Sequence, residues 1–204
     1  LLGESELALS QKELIRIIWD SAQSLLVMLD NVLETAQLDM ATTPLNIKTF
    51  QIESLIRKIL ELYAIAAEDK GLELVGALET EHDIWVDADF DRLQQILMNI
   101  VGNAIKFTGD GYVVLSLRLE ENKVGQKVLM LSVEDTGIGF DLNRKAELFS
   151  AFVQGDDSLT RKHGGVGLGL AISNVLVEEM NGAIEVYRTP QQGTKMEVSI
   201  PLTG

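Results

Sequence analysis

The segment from Asp89 to Phe107 constrains this chain more than any other, because it reads as a helix whose two faces demand different surroundings. Leu93, Ile96, Leu97 and Ile100 share one side of a 3.6-residue helix and can pack on a sheet. Asn99, Asn103 and Lys106 are spaced by four and then three residues, so their polar groups project together from the other side. Asp89 supplies an N-cap carboxylate at the start. An amide oxygen is a hard neutral ligand suited to magnesium, and a lysine beside it neutralises phosphate, so the polar face suggests a nucleotide site. Taken alone, the same pattern also fits an ordinary solvated face.

The remaining segments place this helix in a layered fold. Ile15, Ile18, Ala22, Leu25, Leu29, Val32 and Ala36 form one stripe, widened by Trp19, Leu26 and Leu33. So broad an apolar face predicts a long helix in a self-associated bundle, with an ordinary core helix as the alternative. Polar residues and Pro44 then break the pattern, which sets domains at 1–41 and 42–204. A helix is expected from about Phe50 to Asp69, stopped by Gly71. Strands are expected at Leu72 to Leu78 and Ile84 to Val86, and a hairpin joins Tyr112 to Leu119 with Val128 to Val133. A polar stretch reaching Gly165 holds a short helical piece near Arg144 to Phe149. A helix from Leu168 to Met180 ends at Asn181 and Gly182, and strands at Ile184 to Arg188 and Thr194 to Ile200 close the chain. This irregular interleaving predicts an α/β fold, a two-layer sandwich of helices over a mixed sheet, preceded by the long N-terminal helix.

Two glycine-rich stretches flank that polar region. In "VEDTGIGF" the glycines Gly137 and Gly139 allow close backbone approach to a flat ligand, and Asp135 offers an acceptor at a strand end. An acid with no basic partner in sight suits an exocyclic amine such as adenine's; a tight turn is the plainer reading of "DTGIG". "GGVGLGL", Gly164 to Leu170, enters a helix whose N-terminal N–H groups favour phosphate. It is neither a Walker loop, since no Gly-Lys-Ser/Thr follows, nor a dinucleotide fingerprint, since no strand precedes it. Near the end, Gly193 and Thr194 open a strand that can run beside Asp135, where a threonine hydroxyl supports the acid or a bound water.

Composition narrows the partners. A net charge of −14 gives no steering toward nucleic acid or an anionic membrane surface. With no cysteine, there is neither a disulfide framework nor a thiolate metal site, which fits a reducing, cytoplasmic setting. The longest purely apolar run, Leu25 to Leu29, is far too short to cross a bilayer, so no direct membrane contact is expected of these residues, and a membrane-anchored parent protein stays open.

In order and spacing, these features resemble the ATP-binding domain of sensor histidine kinases, in the superfamily shared with DNA gyrase, the large heat-shock chaperones and mismatch-repair ATPases. The asparagine box is "NIVGNAIKF", the first glycine box "DTGIG", the phenylalanine box "LFSAF" with Phe149 and Phe152, and the second glycine box "GVGLGL". "IIWDSAQSLLVMLDNVLETAQLD" resembles the second helix of the dimerisation and phosphotransfer hairpin, in the style of hybrid kinases. The resemblance implies a Bergerat-type fold that binds ATP and Mg2+. Asn103 would hold magnesium with Asn99 assisting, Lys106 would contact phosphate, and Phe107 would lie beside the nucleotide. Asp135 would accept from the adenine amine, supported by Gly137, Gly139 and Thr194. Arg161, Lys162 and His163 would reach the outer phosphates from a lid, and Gly165, Gly167, Leu168 and Gly169 would line the phosphate path. Phe149 and Phe152 would anchor the lid without touching ligand.

The superfamily's hydrolases carry a glutamate four residues before the magnesium asparagine; here that residue is Asn99, an amide that cannot take a proton. Slow hydrolysis and transfer to a protein nucleophile are therefore expected, by positioning and charge neutralisation. The implied acceptor is a histidine of the dimerisation hairpin, with onward relay to a response-regulator receiver domain and a homodimer through the N-terminal helix. The sequence contains His82 and His163 only, and neither matches the acceptor pattern. "LLGESELAL" resembles the tail of the acceptor helix, so these residues are expected to be a fragment that binds ATP and cannot phosphorylate itself. A serine-directed kinase of the same fold and a non-catalytic nucleotide-binding dimerisation module are the alternatives.

Overall fold

A computed structural model describes residues 21, 44–79, 84–141, 148–149, 169–191 and 193–202. The chain divides into two units, residues 1–42 with 152–168 and residues 43–151 with 169–204. All the described residues except Ser21 lie in the second, which is the one considered below. The expected N-terminal helix, His82 and His163 fall outside the described residues. So does most of the short helical piece expected near 144–149; Leu148 and Phe149 form a turn.

Among the described residues the elements run β1 (Lys48–Gln51), α1 (Ile52–Glu68), β2 (Glu73–Leu78), β3 (Trp85–Ala88), α2 (Phe90–Phe107), β4 (Tyr112–Glu121), β5 (Lys127–Asp135), α3 (Gly169–Glu179), β6 (Ala183–Arg188) and β7 (Thr194–Pro201). Five strands make a mixed sheet in the order β2-β4-β5-β7-β6. β2 runs parallel to β4, because β3 and α2 carry the chain back to its starting end between them. The other neighbours are antiparallel.

Period-two alternation decides which sheet face is covered. Val113, Leu115, Leu117, Leu129, Leu131, Val133, Val198 and Ile200 are all buried, and they meet in register, Leu115 opposite Val133 and Leu131 opposite both Leu117 and Val198. Helices α1, α2 and α3 turn Ile52, Leu55, Ile59, Leu93, Ile96, Leu97, Ile172 and Leu176 into the same core. Each fully buried Leu or Ile contributes roughly 1.5–3 kcal/mol. The residues of opposite parity, among them Ser116, Arg118, Ser132, Glu134 and Lys195, line a shallow polar depression on the other face. Lys195 and Arg118 both pair there with Glu197, at 2.9 and 3.8 Å. The sandwich therefore has two layers, as the patterning predicts.

Local chemistry fixes the helix ends. After α1, Leu72 N–H bonds to Ala67 carbonyl and Gly71 N–H to Glu68 carbonyl, with Gly71 at φ 68°. This is the Schellman arrangement, in which a residue without Cβ takes the left-handed position. After α3 the same pair of bonds recurs, with Asn181 at φ 55° in the left-handed place. Gly182 is needed for a different reason: a Cβ there would lie 2.4 Å from Ser199 carbonyl. Between α1 and α2, Tyr63 hydroxyl donates to Met98 carbonyl at 2.7 Å, and Gly102 leaves room for it.

One expectation is corrected. The helix predicted from Phe50 begins at Ile52, because Lys48–Gln51 pair antiparallel with Trp85–Ala88 in a separate ribbon. Phe50 then stacks edge-on against Phe90, ring centroids 4.9 Å apart.

Asp89 is buried at 3% exposure and caps α2, accepting from Arg92 N–H at 3.1 Å and from Asn46 N–H at 2.8 Å. Arg92 in turn pairs with Glu179 of α3. Replacing Asp89 by Ala removes the cap and strands the Asn46 donor, so urea denaturation should show a loss of about 2 kcal/mol.

Candidate functional site

β5 ends at Asp135, beside the start of β7. Its Oδ1 accepts from Gly137 N–H at 2.8 Å and from Thr194 N–H at 3.2 Å. The Thr194 hydroxyl also favours the charged form. Burial nevertheless wins, pushing the carboxyl above its ordinary value, since no basic side chain pairs with it among the described residues. Both backbone donors fall on Oδ1, which leaves Oδ2 without one among the described residues.

The glycines around Asp135 are spaced by the protein itself. A Cβ on Gly137 would lie 2.6 Å from Phe107 carbonyl and 2.9 Å from Asp135 Oδ1. A Cβ on Gly193 would lie 1.9 Å from Asp135 carbonyl. The close approach at Gly137, expected to be toward a flat ligand, is therefore met by the end of α2. Gly139 takes φ 68°. Thr136 completes the junction, its hydroxyl accepting from Tyr112 N–H at 3.0 Å and donating to Asp110 carbonyl at 3.1 Å.

The polar face of α2 divides its work. Asn99 Nδ2 donates to Gly169 carbonyl at 3.0 Å and to Ser173 hydroxyl at 3.2 Å, fastening the start of α3 to α2. Ser173 is fully buried and was not singled out in the sequence, although a serine four residues after Gly169 in an apolar helix marks a satisfied internal hydroxyl. Asn103, one turn further along, is half-buried, and its amide has no hydrogen-bond partner among the described residues. Lys106 places its ammonium 5.1 Å from the centroid of the Phe107 ring, and burial lowers its pKa. Phe107 thus belongs to the Asp135 junction through its carbonyl and to Lys106 through its ring. Arg161, Lys162, Gly165, Gly167, Leu168 and Phe152 lie outside the described residues; Phe149 is half-buried.

Replacing Asn99 by Leu keeps the branched shape and removes the donor to Gly169 and Ser173. Denaturant unfolding should then show a loss of about 1–2 kcal/mol, because the link between α2 and α3 is lost while Gly169 carbonyl keeps only the Ser173 hydroxyl.

The sequence pattern of the histidine kinase-, DNA gyrase B- and HSP90-like ATPases matches residues 88–204. The sensor histidine kinase GacS of Pseudomonas protegens is 39% identical over 202 residues, covering 99% of this chain and 22% of GacS. The signal transduction histidine-protein kinase BarA of Escherichia coli K12 is 36% identical over 191 residues, covering 94% of this chain and 21% of BarA. The chain thus spans about a fifth of the length of these curated relatives. Full-length ShkA, crystallised in complex with AMPPNP, superposes with a TM-score of 0.79 at 34% identity, over 100% of this chain and 41% of that one. The catalytic domain of histidine kinase ThkA gives a TM-score of 0.64 at 25% identity, over 78% and 97% of the two chains. In sequence pattern, fold and order of motifs, the chain belongs to the histidine kinase-, DNA gyrase B- and HSP90-like ATPase family.

Proposed function

We propose that this chain binds magnesium-ATP and is the catalytic part of a protein histidine kinase. It transfers the γ-phosphoryl group to a histidine of a dimerisation helix, for relay to a response-regulator aspartate. The observation that carries the reading is Asp135: a buried carboxylate whose Oδ1 is held by two backbone N–H groups while Oδ2 receives no backbone N–H among the described residues. That arrangement suits an acceptor for an exocyclic amine. The relatives named as sensor kinases and the AMPPNP complex of ShkA support it.

Phe107 lies beside the purine in this reading, Gly137, Gly139 and Thr194 hold Asp135 in place, and Lys106 meets phosphate. Asn103 fits a magnesium ligand, because its neutral amide is unpaired among the described residues. Those residues contain no group of three or more His, Cys, Asp or Glu placed to hold a metal ion. The ion would therefore keep most of its ligands from phosphate and water, and when bound it neutralises phosphate charge. Gly165, Gly167, Leu168 and Gly169 line the phosphate path, with Arg161 and Lys162 at the outer phosphates. Asn99 assists by holding the start of α3. Since an amide is no general base, hydrolysis is slow and a protein nucleophile is preferred. His82 and His163 both lack the acceptor pattern, so the acceptor is another histidine, and residues 1–41 serve dimerisation while 42–204 carry catalysis.

Calorimetry with Mg-ATP tests the reading, and absence of binding heat overturns it. Asp135→Asn retains an oxygen for the two N–H groups and presents a donor where Oδ2 was. Its affinity should fall at least about tenfold while it still folds. Wild-type affinity should also drop as the pH falls through the raised carboxyl pKa, because protonation removes the acceptor. Stability runs the other way: the folded state binds the proton more tightly than the unfolded one. This contribution is full below the unfolded value of 3.8 and is lost as the pH rises through the raised folded value. In Asp135→Asn that dependence should flatten. Labelled ATP with an added acceptor-bearing helix identifies the phosphorylated residue, and labelled serine would favour the alternative kinase.

A further inference from the structure

A helix that ends against protein brings carbonyl groups that its own backbone cannot satisfy. At the end of α2 these groups are fully accounted for. Ala104 carbonyl accepts from Thr108 N–H at 3.0 Å and from the Thr108 hydroxyl at 2.7 Å. Phe107 carbonyl accepts from Ile138 N–H at 3.4 Å and sits against Gly137. Between them, Ile105 and Lys106 carbonyls accept from a single ammonium, Lys70 Nζ, at 2.7 and 2.9 Å, and Thr108 carbonyl lies 3.4 Å from it.

Lys70 comes from the turn after α1, the turn that Gly71 closes at φ 68°. It therefore reaches α2 from a separate element, and its positive charge faces the negative end of the α2 dipole. Held this way, the last turn of α2 presents Lys106 and Phe107 outward and sets the Phe107 carbonyl against the Asp135-Thr136-Gly137 turn.

We infer that Lys70 is a positioning residue for nucleotide binding. It touches no nucleotide; it fixes the last turn of α2, and through the Phe107 carbonyl it fixes the loop that holds Asp135. The inference rests on the nucleotide-site reading above and adds a residue that no motif contains.

The test compares Lys70→Met and Lys70→Gln with wild type in the 204-residue chain. Amide hydrogen exchange without nucleotide should quicken about tenfold at Thr108 and Ile138 in Lys70→Met, with the core amides of β4 and β5 unchanged, and Mg-ATP affinity should fall about tenfold. Lys70→Gln keeps a donor without the charge and should lie between, at about threefold in both readouts. If Lys70→Met does not fold, Lys70→Gln carries the same two readouts. Wild-type exchange at Thr108 and Ile138 in a folded variant overturns the inference, as does quickening spread evenly over the core. If wild type binds no Mg-ATP, the functional proposal fails, and the exchange measurement still decides what Lys70 holds.

Discussion

The site depends on closing the end of a buried helix. Four carbonyl groups arrive together at the last turn of α2, and each has to find a partner beyond the helix's own ladder. The protein answers with a threonine, a lysine from another turn, and one N–H from the glycine stretch after β5. The third answer shapes the site, because it draws the Asp135 loop so close to Phe107 that only glycine fits at 137. Gly111, at φ 105°, makes the matching concession on the other side, where a Cβ would meet the Thr136 hydroxyl. The first glycine box is thus a fit between a helix end and a strand end before it is anything else.

Electrostatics follow from the same closure. Burial works against the charged form of Asp135, and Glu134 beside it adds to the cost. Backbone dipoles supply partial compensation at fixed positions, and among the described residues no counter-ion stands beside the acid. Lys106, similarly part-buried, is tuned in the opposite direction.

Much of this was legible in the sequence where a period or a residue type carried it. The two faces of α2 and its Asp89 cap follow from spacing alone, as do the hairpin of β4 and β5 and the closing strands. Gly71 and Asn181 announce their helix ends because so few residues take positive φ. The misses have one physical origin, which is contact between segments far apart in the chain. β1 is four residues long and exists only because β3, some 37 positions on, pairs with it. The spacing places Asn99 on the polar face of α2 and says nothing of the bond its Nδ2 makes to α3. Two glycines one residue apart announce a close approach at Gly137, but no spacing rule says that its neighbour is the Phe107 carbonyl. Lys70 belongs to no motif, and its partners on α2 lie 35 and 36 residues away.

The parallel pairing of β2 with β4 has a consequence for how the molecule comes to be functional. Its strands cannot zip from a hairpin, and the contacts that finish the site span still longer stretches: 59 residues from Asp135 to Thr194 and 70 from Asn99 to Gly169. Closing such loops is entropically slow and rewarded only at the end. A nascent or partly refolded chain holding only β4 and β5 has a hairpin, and Asp135 gains its Thr194 N–H only once β7 is in place.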